Sequence, residues 1–191
     1  MDYIITALIS YLFGSIPFGY IFTKIFLKKD IRDVGSGNIG ATNVLRTGNK
    51  RLGYLTLILD ILKAVIPVIY VKLYYPDLIF ISALCAFLGH LFPVWLKFDG
   101  GKGVATFVGI LISINIYYAL IFGIIWVLTF IISKYSSLSS LIASISIPIY
   151  IFIFSEGNFI FFTIMFVLIF YTHRENIKRL INKEETKSKI Y

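Results

Sequence analysis

The sequence predicts an all-α membrane protein of seven transmembrane helices, with its amino terminus outside and its carboxyl terminus in the cytoplasm. Three observations lead there. Hydrophobic residues make up 58% of the 191 and charged residues only 15%, with a mean hydropathy of +0.86, a balance that suits a bilayer better than water. The apolar residues fall into runs long enough to cross a hydrocarbon core, which takes roughly 20 helical residues. The basic residues gather between and after those runs, the pattern that keeps short loops in the cytoplasm.

Residues 4–27, 52–75 and 78–96 each meet the length requirement. The run 104–133 is too long for one comfortable span and carries the polar break Ser113-Ile114-Asn115, so it divides there into two short spans. Taken as one span, with the last two runs reshaped, it gives the alternative of five crossings. Residues 141–154 and 158–172 supply the final spans, joined by Ser155-Glu156-Gly157-Asn158 as a tight turn. Lys28, Lys29, Arg32, Arg46, Lys50 and Arg51 place segment 28–51 inside, and Arg174, Lys178, Arg179, Lys183, Lys187 and Lys189 do the same for the tail. The opening Met1-Asp2-Tyr3-Ile4 has no basic region, and no small-residue cleavage site closes the stretch after it, so residues 4–27 read as a retained span. No repeat or linker divides the chain, and residues 1–191 are expected to form a single domain.

The net charge of +8 sits beside apolar runs, which points to membrane lipid and anionic ligands and away from nucleic acid. Cys85 is the one cysteine and lies in an apolar run, so no disulfide or cysteine metal site forms within the chain. There is no cysteine nucleophile, HExxH motif or pair of carboxylates, which argues against protease, metal hydrolase and glycosidase chemistry. A histidine followed five residues later by aspartate is also missing: His90 leads to Trp95 and His173 to Lys178. Neither a cofactor nor a metal is expected.

Four polar segments remain. In Val34-Gly35-Ser36-Gly37-Asn38-Ile39-Gly40-Ala41-Thr42-Asn43-Val44-Leu45-Arg46 the glycines fit a dinucleotide-binding pattern, but a membrane span precedes them instead of a strand. Their backbone freedom still allows successive N–H groups to face one anion. A helix starting near Thr42 puts Asn43 and Arg46 on one face, with Arg46 able to grip a phosphate bidentately; the alternative is a solvated turn with a membrane-flanking arginine. The second segment joins Gly89-His90-Leu91-Phe92-Pro93 to Phe98-Asp99-Gly100-Gly101-Lys102-Gly103-Val104-Ala105-Thr106. It is no Walker A loop, yet Gly100, Gly101 and Lys102 before a helix offer N–H groups and an ammonium to a phosphate. Against this stands Lys102 as a plain interfacial anchor, with His90 as a hydrogen-bonded structural residue. Third comes Ser136-Ser137-Leu138-Ser139-Ser140, where helix capping is the simplest role. In the fourth, His173-Arg174-Glu175-Asn176-Ile177-Lys178-Arg179, His173 and Asn176 share a face and Glu175 pairs with Arg179 at i,i+4. Within the membrane, Asp60 and Lys63 are expected to pair, since an unpaired charge there costs about 2.5–3.5 kcal/mol.

Taken together, the glycine-rich stretches at 35–43 and 89–106 and the stretch 173–177 resemble, in order and over nearly the whole chain, the cytoplasmic motifs of the bacterial acyl-phosphate:glycerol-3-phosphate acyltransferases. The resemblance implies a seven-helix enzyme of the bacterial cytoplasmic (inner) membrane, multi-pass, with its active site facing the cytoplasm. It implies acyl transfer from acyl phosphate to glycerol 3-phosphate, giving lysophosphatidic acid and inorganic phosphate in the first acylation of phospholipid synthesis, with a functional link to the enzyme that makes the acyl phosphate. By motif, Ser36, Arg46 and Lys102 bind the glycerol 3-phosphate head group, helped by His173 and Asn176. Asn38, Thr42, Gly100 and Gly101 hold the acyl phosphate, and Ser139 or Ser140 lines the site. Asp99 is expected to point away, because a carboxylate would repel the ligand.

The rival reading is a small phosphate or organic-anion transporter. It calls for polar residues at mid-depth in several spans, and only Asp60 and Lys63 fit, which favours the enzyme.

Overall fold

The computed structural model describes residues 2–154 and 157–187. Among them the secondary structure is entirely helical. Five helical stretches are long and apolar enough to cross a membrane: Tyr3–Phe26, Lys50–Tyr74, Pro76–Leu96, Ile116–Ser133 and Ser136–Phe154. Phe159–Thr172 and Arg174–Ile181, bent by 61°, make a sixth if counted as one span. The chain packs as two compact units, Met1–Ile114 and Asn115–Tyr191.

The first unit contains α1 (Tyr3–Gly14), α2 (Phe18–Phe26), α3 (Ala41–Leu45), α4 (Lys50–Tyr74), α5 (Ile79–Leu91) and α6 (Val104–Ile114). The continuous first span expected from hydropathy is broken at residues 15–17. Pro17 has no N–H to continue the helix, and the Ile16 carbonyl instead accepts from Lys63 Nζ at 2.9 Å. Helices α1 and α5 approach closely through small residues. A Cβ on Gly14 would run into the Ala86 carbonyl, and Gly89 lies against the backbone of Tyr11 and Ser15. Close backbone contact of this kind, together with interhelical hydrogen bonds, is what holds helices together when lipid is as apolar as the side chains. Those bonds include Ser10 Oγ with Ser82 Oγ at 2.8 Å, Tyr11 Oη to the Phe92 carbonyl at 2.7 Å and Trp95 Nε1 to Ser15 Oγ at 2.8 Å.

Helix α6 is short, with 11 residues. Gly109 lets it sit on the Ile61 carbonyl and Ala64 of α4. Its last carbonyls, at Ser113 and Ile114, accept from Lys72 Nζ at 2.8 and 3.1 Å, so a lysine caps a helix end that has no N–H donors of its own. The break expected within 104–133 is present. Helix α6 stops at Ile114, and Asn115 restarts the chain by accepting the Tyr117 amide at 3.0 Å on its side-chain oxygen.

The second unit contains α7 (Ile116–Ser133), α8 (Ser136–Phe154), α9 (Phe159–Thr172) and α10 (Arg174–Ile181). Helix α8 begins at Ser136 rather than at 141, so the hydroxyl run lies inside its first turns. Of the expected turn, Ser155 and Glu156 lie outside the described residues. Gly157 has φ +75, and the Asn158 side chain caps α9 by accepting the Phe161 amide at 3.0 Å. Tyr118, buried at 3%, packs edge-on against Phe162 and Tyr150 and ties the three long helices of this unit together.

Candidate active site

The segment from residue 28 to 49 folds around one buried amide. Asn43, 1% exposed on α3, donates from Nδ2 to the carbonyls of Ile31, Val34 and Asn38 at 3.1, 2.8 and 2.9 Å, and its Oδ1 accepts the Ser36 amide at 3.0 Å. Gly35 (φ +57) and Gly37 (φ +71) adopt the left-handed backbone that the bend requires. Gly40, with φ −79, does not. Gly35 also carries no Cβ because Asn43 Oδ1 and Arg46 Cδ would lie 2.5 and 3.1 Å from it, so the glycine brings the Arg46 side chain onto the loop. The expected cradle of loop amides is largely occupied from within: Ser36 N on Asn43, Gly37 N on the Val34 carbonyl at 3.0 Å, and Gly40 N on Asn38 Oδ1 at 2.7 Å. The Ser36, Asn38 and Arg46 side chains of this segment are half-buried, and Thr42 is exposed.

The second loop is shaped the same way. Gly101 N donates to the His90 carbonyl at 3.0 Å and Gly100 N to the Leu91 carbonyl at 3.1 Å. These two amides therefore finish the end of α5, and the expectation that they face a phosphate is corrected: the carbonyls left open at a helix end take them first. Gly103 (φ +84) has no room for a side chain against Phe87. Lys102 is half-buried and stands between Gly101 and Gly103. Asp99 is exposed, and its charge acts on Arg32.

Both loops occupy the same end of the first unit. Leu96, from the turn that leads into the second loop, is buried with Ile31, Ile39 and Val44 of the first and with Leu52 at the start of α4. Beside them, hydrogen bonds from the Arg32 side chain at 3.0 and 2.8 Å hold the Asp30 carboxyl down at about 2 and in return raise the Arg32 guanidinium. Arg32 is thus occupied, whereas no hydrogen bond or ion pair holds the Arg46 guanidinium among the described residues.

In the second unit, His173 is 2% exposed, and its Nδ1 lies 2.8 Å from the Ile169 carbonyl. A carbonyl only accepts, so Nδ1 carries a proton, and in the neutral ring the lone pair is on Nε2. Asn176, 4% exposed, donates from Nδ2 to Glu185 Oε1 at 2.7 Å, while its Oδ1 is buried without a partner among the described residues. Glu185 also accepts from Ser137 Oγ at 2.8 Å and Arg179 Nε at 2.7 Å. Burial pushes this carboxyl up, but the hydrogen bonds from Arg179, Asn176 and Ser137 outweigh it and leave the group below its ordinary value. The expected Glu175–Arg179 pair is therefore corrected. Arg179 turns to Glu185, and Glu175 meets Lys178 at 3.3 Å. Ser139 and Ser140 do not cap α8; their hydroxyls donate to the carbonyls of Tyr135 and Ser136 at 2.8 and 2.9 Å, and Ser140 accepts from Trp126 Nε1 at 3.0 Å. The serine that meets the polar cluster of this unit is Ser137.

The family model described as glycerol-3-phosphate acyltransferase matches residues 4–183. The chain belongs to the glycerol-3-phosphate acyltransferase family. A glycerol-3-phosphate acyltransferase of Pelagibacter ubique (strain HTCC1062) is 73% identical over the full length of both chains. One from Rhodopseudomonas palustris (strain HaA2) is 50% identical over 98% of this chain and 95% of the relative. Among solved structures, the chain is similar to PlsY (YgiH), an integral membrane glycerol 3-phosphate acyltransferase, in its glycerol 3-phosphate form, with 37% identity, a TM-score of 0.91, and coverage of 97% of this chain and 94% of that one. The lysophosphatidic acid form gives 35% identity and a TM-score of 0.88 over the same shares. The chain is thus an integral membrane acyltransferase of this family with several apolar helices.

Two residues central to this geometry are not apparent from local sequence. Asn43 was visible as a helix-face neighbour of Arg46, but nothing nearby indicates that it binds four backbone groups. Glu185 lies in a charged tail, beyond the stretch that matches the family model.

Proposed function

We propose that this acyltransferase uses acyl phosphate as donor and glycerol 3-phosphate as acceptor, releasing lysophosphatidic acid and inorganic phosphate. The observation that carries the reading is the placement of the Arg46 loop and the Lys102 loop at one end of the first unit, where two anions can be held together. Ser36 and Arg46 bind the glycerol phosphate head with Lys102, and Asn38, Thr42 and the Gly100–Gly101 segment shape the ground for the acyl phosphate. Because Gly100 and Gly101 have their amides on α5, they serve this role by leaving space for the ligand and holding Lys102. Ser139 and Ser140 remain assigned to the site by motif alone, and so does Asn176.

An acyl phosphate is already activated, so the acceptor hydroxyl attacks the carbonyl carbon directly, the carbonyl–phosphate C–O bond breaks, and phosphate leaves with its electron pair. Positioning and neutralisation of charge supply most of the acceleration. The hydroxyl proton passes to His173 Nε2 or to a substrate phosphate oxygen. Support for the histidine route is the Nδ1 bond to Ile169, which leaves Nε2 as the basic atom.

As part of the same reading, the chain crosses the bacterial inner membrane seven times, as one domain, with its amino terminus outside and the site facing the cytoplasm. Helices α6 and α9 serve as the short crossings. A functional link to the acyl-phosphate-producing enzyme follows from the lability of the donor.

The test is to incubate the purified protein in lipid with palmitoyl phosphate and glycerol 3-phosphate and to assay lysophosphatidate and phosphate, with acyl-CoA as comparison donor. Both products in equal amounts are expected from the phosphate donor; acylation from the thioester alone would overturn the assignment.

A further inference from the structure

Three ionisable side chains outside the loops are buried together in the first unit: Asp60 and Lys63 on α4 and His90 at the end of α5, none more than 3% exposed. Lys63 Nζ lies 2.7 Å from Asp60 Oδ1, donates to the Ile16 carbonyl, and stands 5.9 Å from the centroid of the Phe18 ring. His90 Nδ1 is 3.9 Å from the same Asp60 oxygen and has no hydrogen-bond partner among the described residues. The far edge of the imidazole, at Nε2, presses on Gly101, closely enough that a Cβ there would overlap the ring. The His90 carbonyl meanwhile receives the Gly101 amide, so side chain and backbone of one residue both bear on the position preceding Lys102.

Stability alone does not account for these charges. Each costs about 2.5–3.5 kcal/mol to place in a membrane helix. Replacing a buried ion pair by apolar residues of similar size is often neutral or favourable. What charges add over methylenes is direction. Lys63 reaches the carbonyl at the break of the first span, and Asp60 is placed between that lysine and the ring of His90.

We propose that Asp60 and Lys63 form a positioning pair that acts through His90: the pair sets the orientation of the imidazole, the imidazole sets the Gly100–Gly101 segment, and that segment fixes where Lys102 meets an anionic substrate. The inference rests on the reading of Lys102 as a substrate-binding cation. Asp60, Lys63 and His90 act through the loop and are not catalytic residues.

The experiment compares wild type, D60L/K63M and His90→Leu, each in lipid nanodiscs, by steady-state transfer from palmitoyl phosphate to glycerol 3-phosphate and by deuterium uptake at residues 100–103. The first variant removes both charges, and the second keeps the ion pair but severs its contact with the loop. In both, kcat is expected to fall about 100-fold, the loss that a misplacement near 1 Å produces. KM for glycerol 3-phosphate should move less than about threefold. Uptake at 100–103 should rise while α8 and α9 keep wild-type protection, marking a local loosening and not a general one. If D60L/K63M does not fold, His90→Leu carries the test. A kcat within about twofold of wild type, or unchanged uptake at 100–103, would overturn the proposal. A wild type that transfers nothing from palmitoyl phosphate would instead refute the donor reading, and the deuterium uptake would still decide the positioning role.

Discussion

Asn43 Oδ1 accepts the backbone amide of Ser36 at 3.0 Å, so a buried side chain seven residues along the chain determines where the first loop carries its hydroxyl. The Nδ2 group of the same side chain ties down three carbonyls. Replacing Asn43 with Asp keeps the acceptor but sets a carboxylate against those carbonyls. Leaving buried polar groups unsatisfied costs about 1–3 kcal/mol each. Asn43→Asp is therefore expected to lower thermal stability in lipid and to reduce kcat/KM at least as much as Ser36→Ala does. An Asn43→Asp enzyme with wild-type melting and activity would contradict this account of the loop.

Arg46 is brought to the loop by Gly35, whose φ is +57. A charge-assisted hydrogen bond contributes about 1.5–3 kcal/mol, so losing a bidentate grip on phosphate in Arg46→Ala is expected to lower kcat/KM for glycerol 3-phosphate by at least about 100-fold. Arg46→Lys keeps the charge without the fork and should fall between the two. Gly35→Ala, strained in backbone and crowded by Asn43, should resemble Arg46→Ala in activity while Arg46 itself is intact. Steady-state kinetics with varied glycerol 3-phosphate separates these outcomes.

Glu185 gathers donors from Ser137, Asn176 and Arg179, and its carboxyl sits below its ordinary value of 4.5. A carboxyl lowered in the folded state stabilises it fully above the unfolded value, and that contribution disappears as pH falls through the folded value. Thermal unfolding of wild type and Glu185→Gln should therefore differ most near neutrality and converge as pH drops below about 4.5. A difference between them that grows on acidification would show that another group controls this cluster.

For His173, the Nδ1 bond to Ile169 predicts a split between two substitutions. His173→Asn places an amide nitrogen near the Nδ1 position and retains the hydrogen bond without a base; His173→Gln reaches toward Nε2. If Nε2 takes the proton, both lose the acid limb of the pH–rate profile that wild type shows. A normal profile in His173→Gln would exclude the histidine and leave a substrate phosphate oxygen as the acceptor.

Much of this molecule is legible where chemistry and local pattern coincide. Ser113-Ile114-Asn115 announces the break before α7, since Asn115 has a cap to offer. The spacing of Asp60 and Lys63 announces their ion pair. The glycines at 35, 37 and 103 mark positive φ. The break at residues 15–17 is hidden, because Ile16 and Phe18 keep the run apolar while Pro17 removes an amide, and hydropathy counts only the former. The roles of the Gly100 and Gly101 amides depend on where α5 ends in space. Glu185 escapes for a similar reason: a tail rich in lysine and glutamate reads as charge beside a membrane, and only its return to Ser137 shows one carboxylate gathering three donors.

The unequal lengths of α4 and α6 have one more effect. With 25 and 11 residues packed side by side, α4 runs on for about 20 Å without its neighbour. Gly109, in the middle of α6, lies on Ile61 and Ala64 in the middle of α4, and Lys72 closes the last carbonyls, so α4 overhangs its short neighbour by about two turns on each side, including the end where it begins. Segments 28–49 and 92–103 gather at that end, their apolar side chains meeting at Leu96. The short α6 thus leaves the opening turns of α4 to the two glycine-bearing segments, with Leu96 packed beside Leu52 and Leu45 on Gly53.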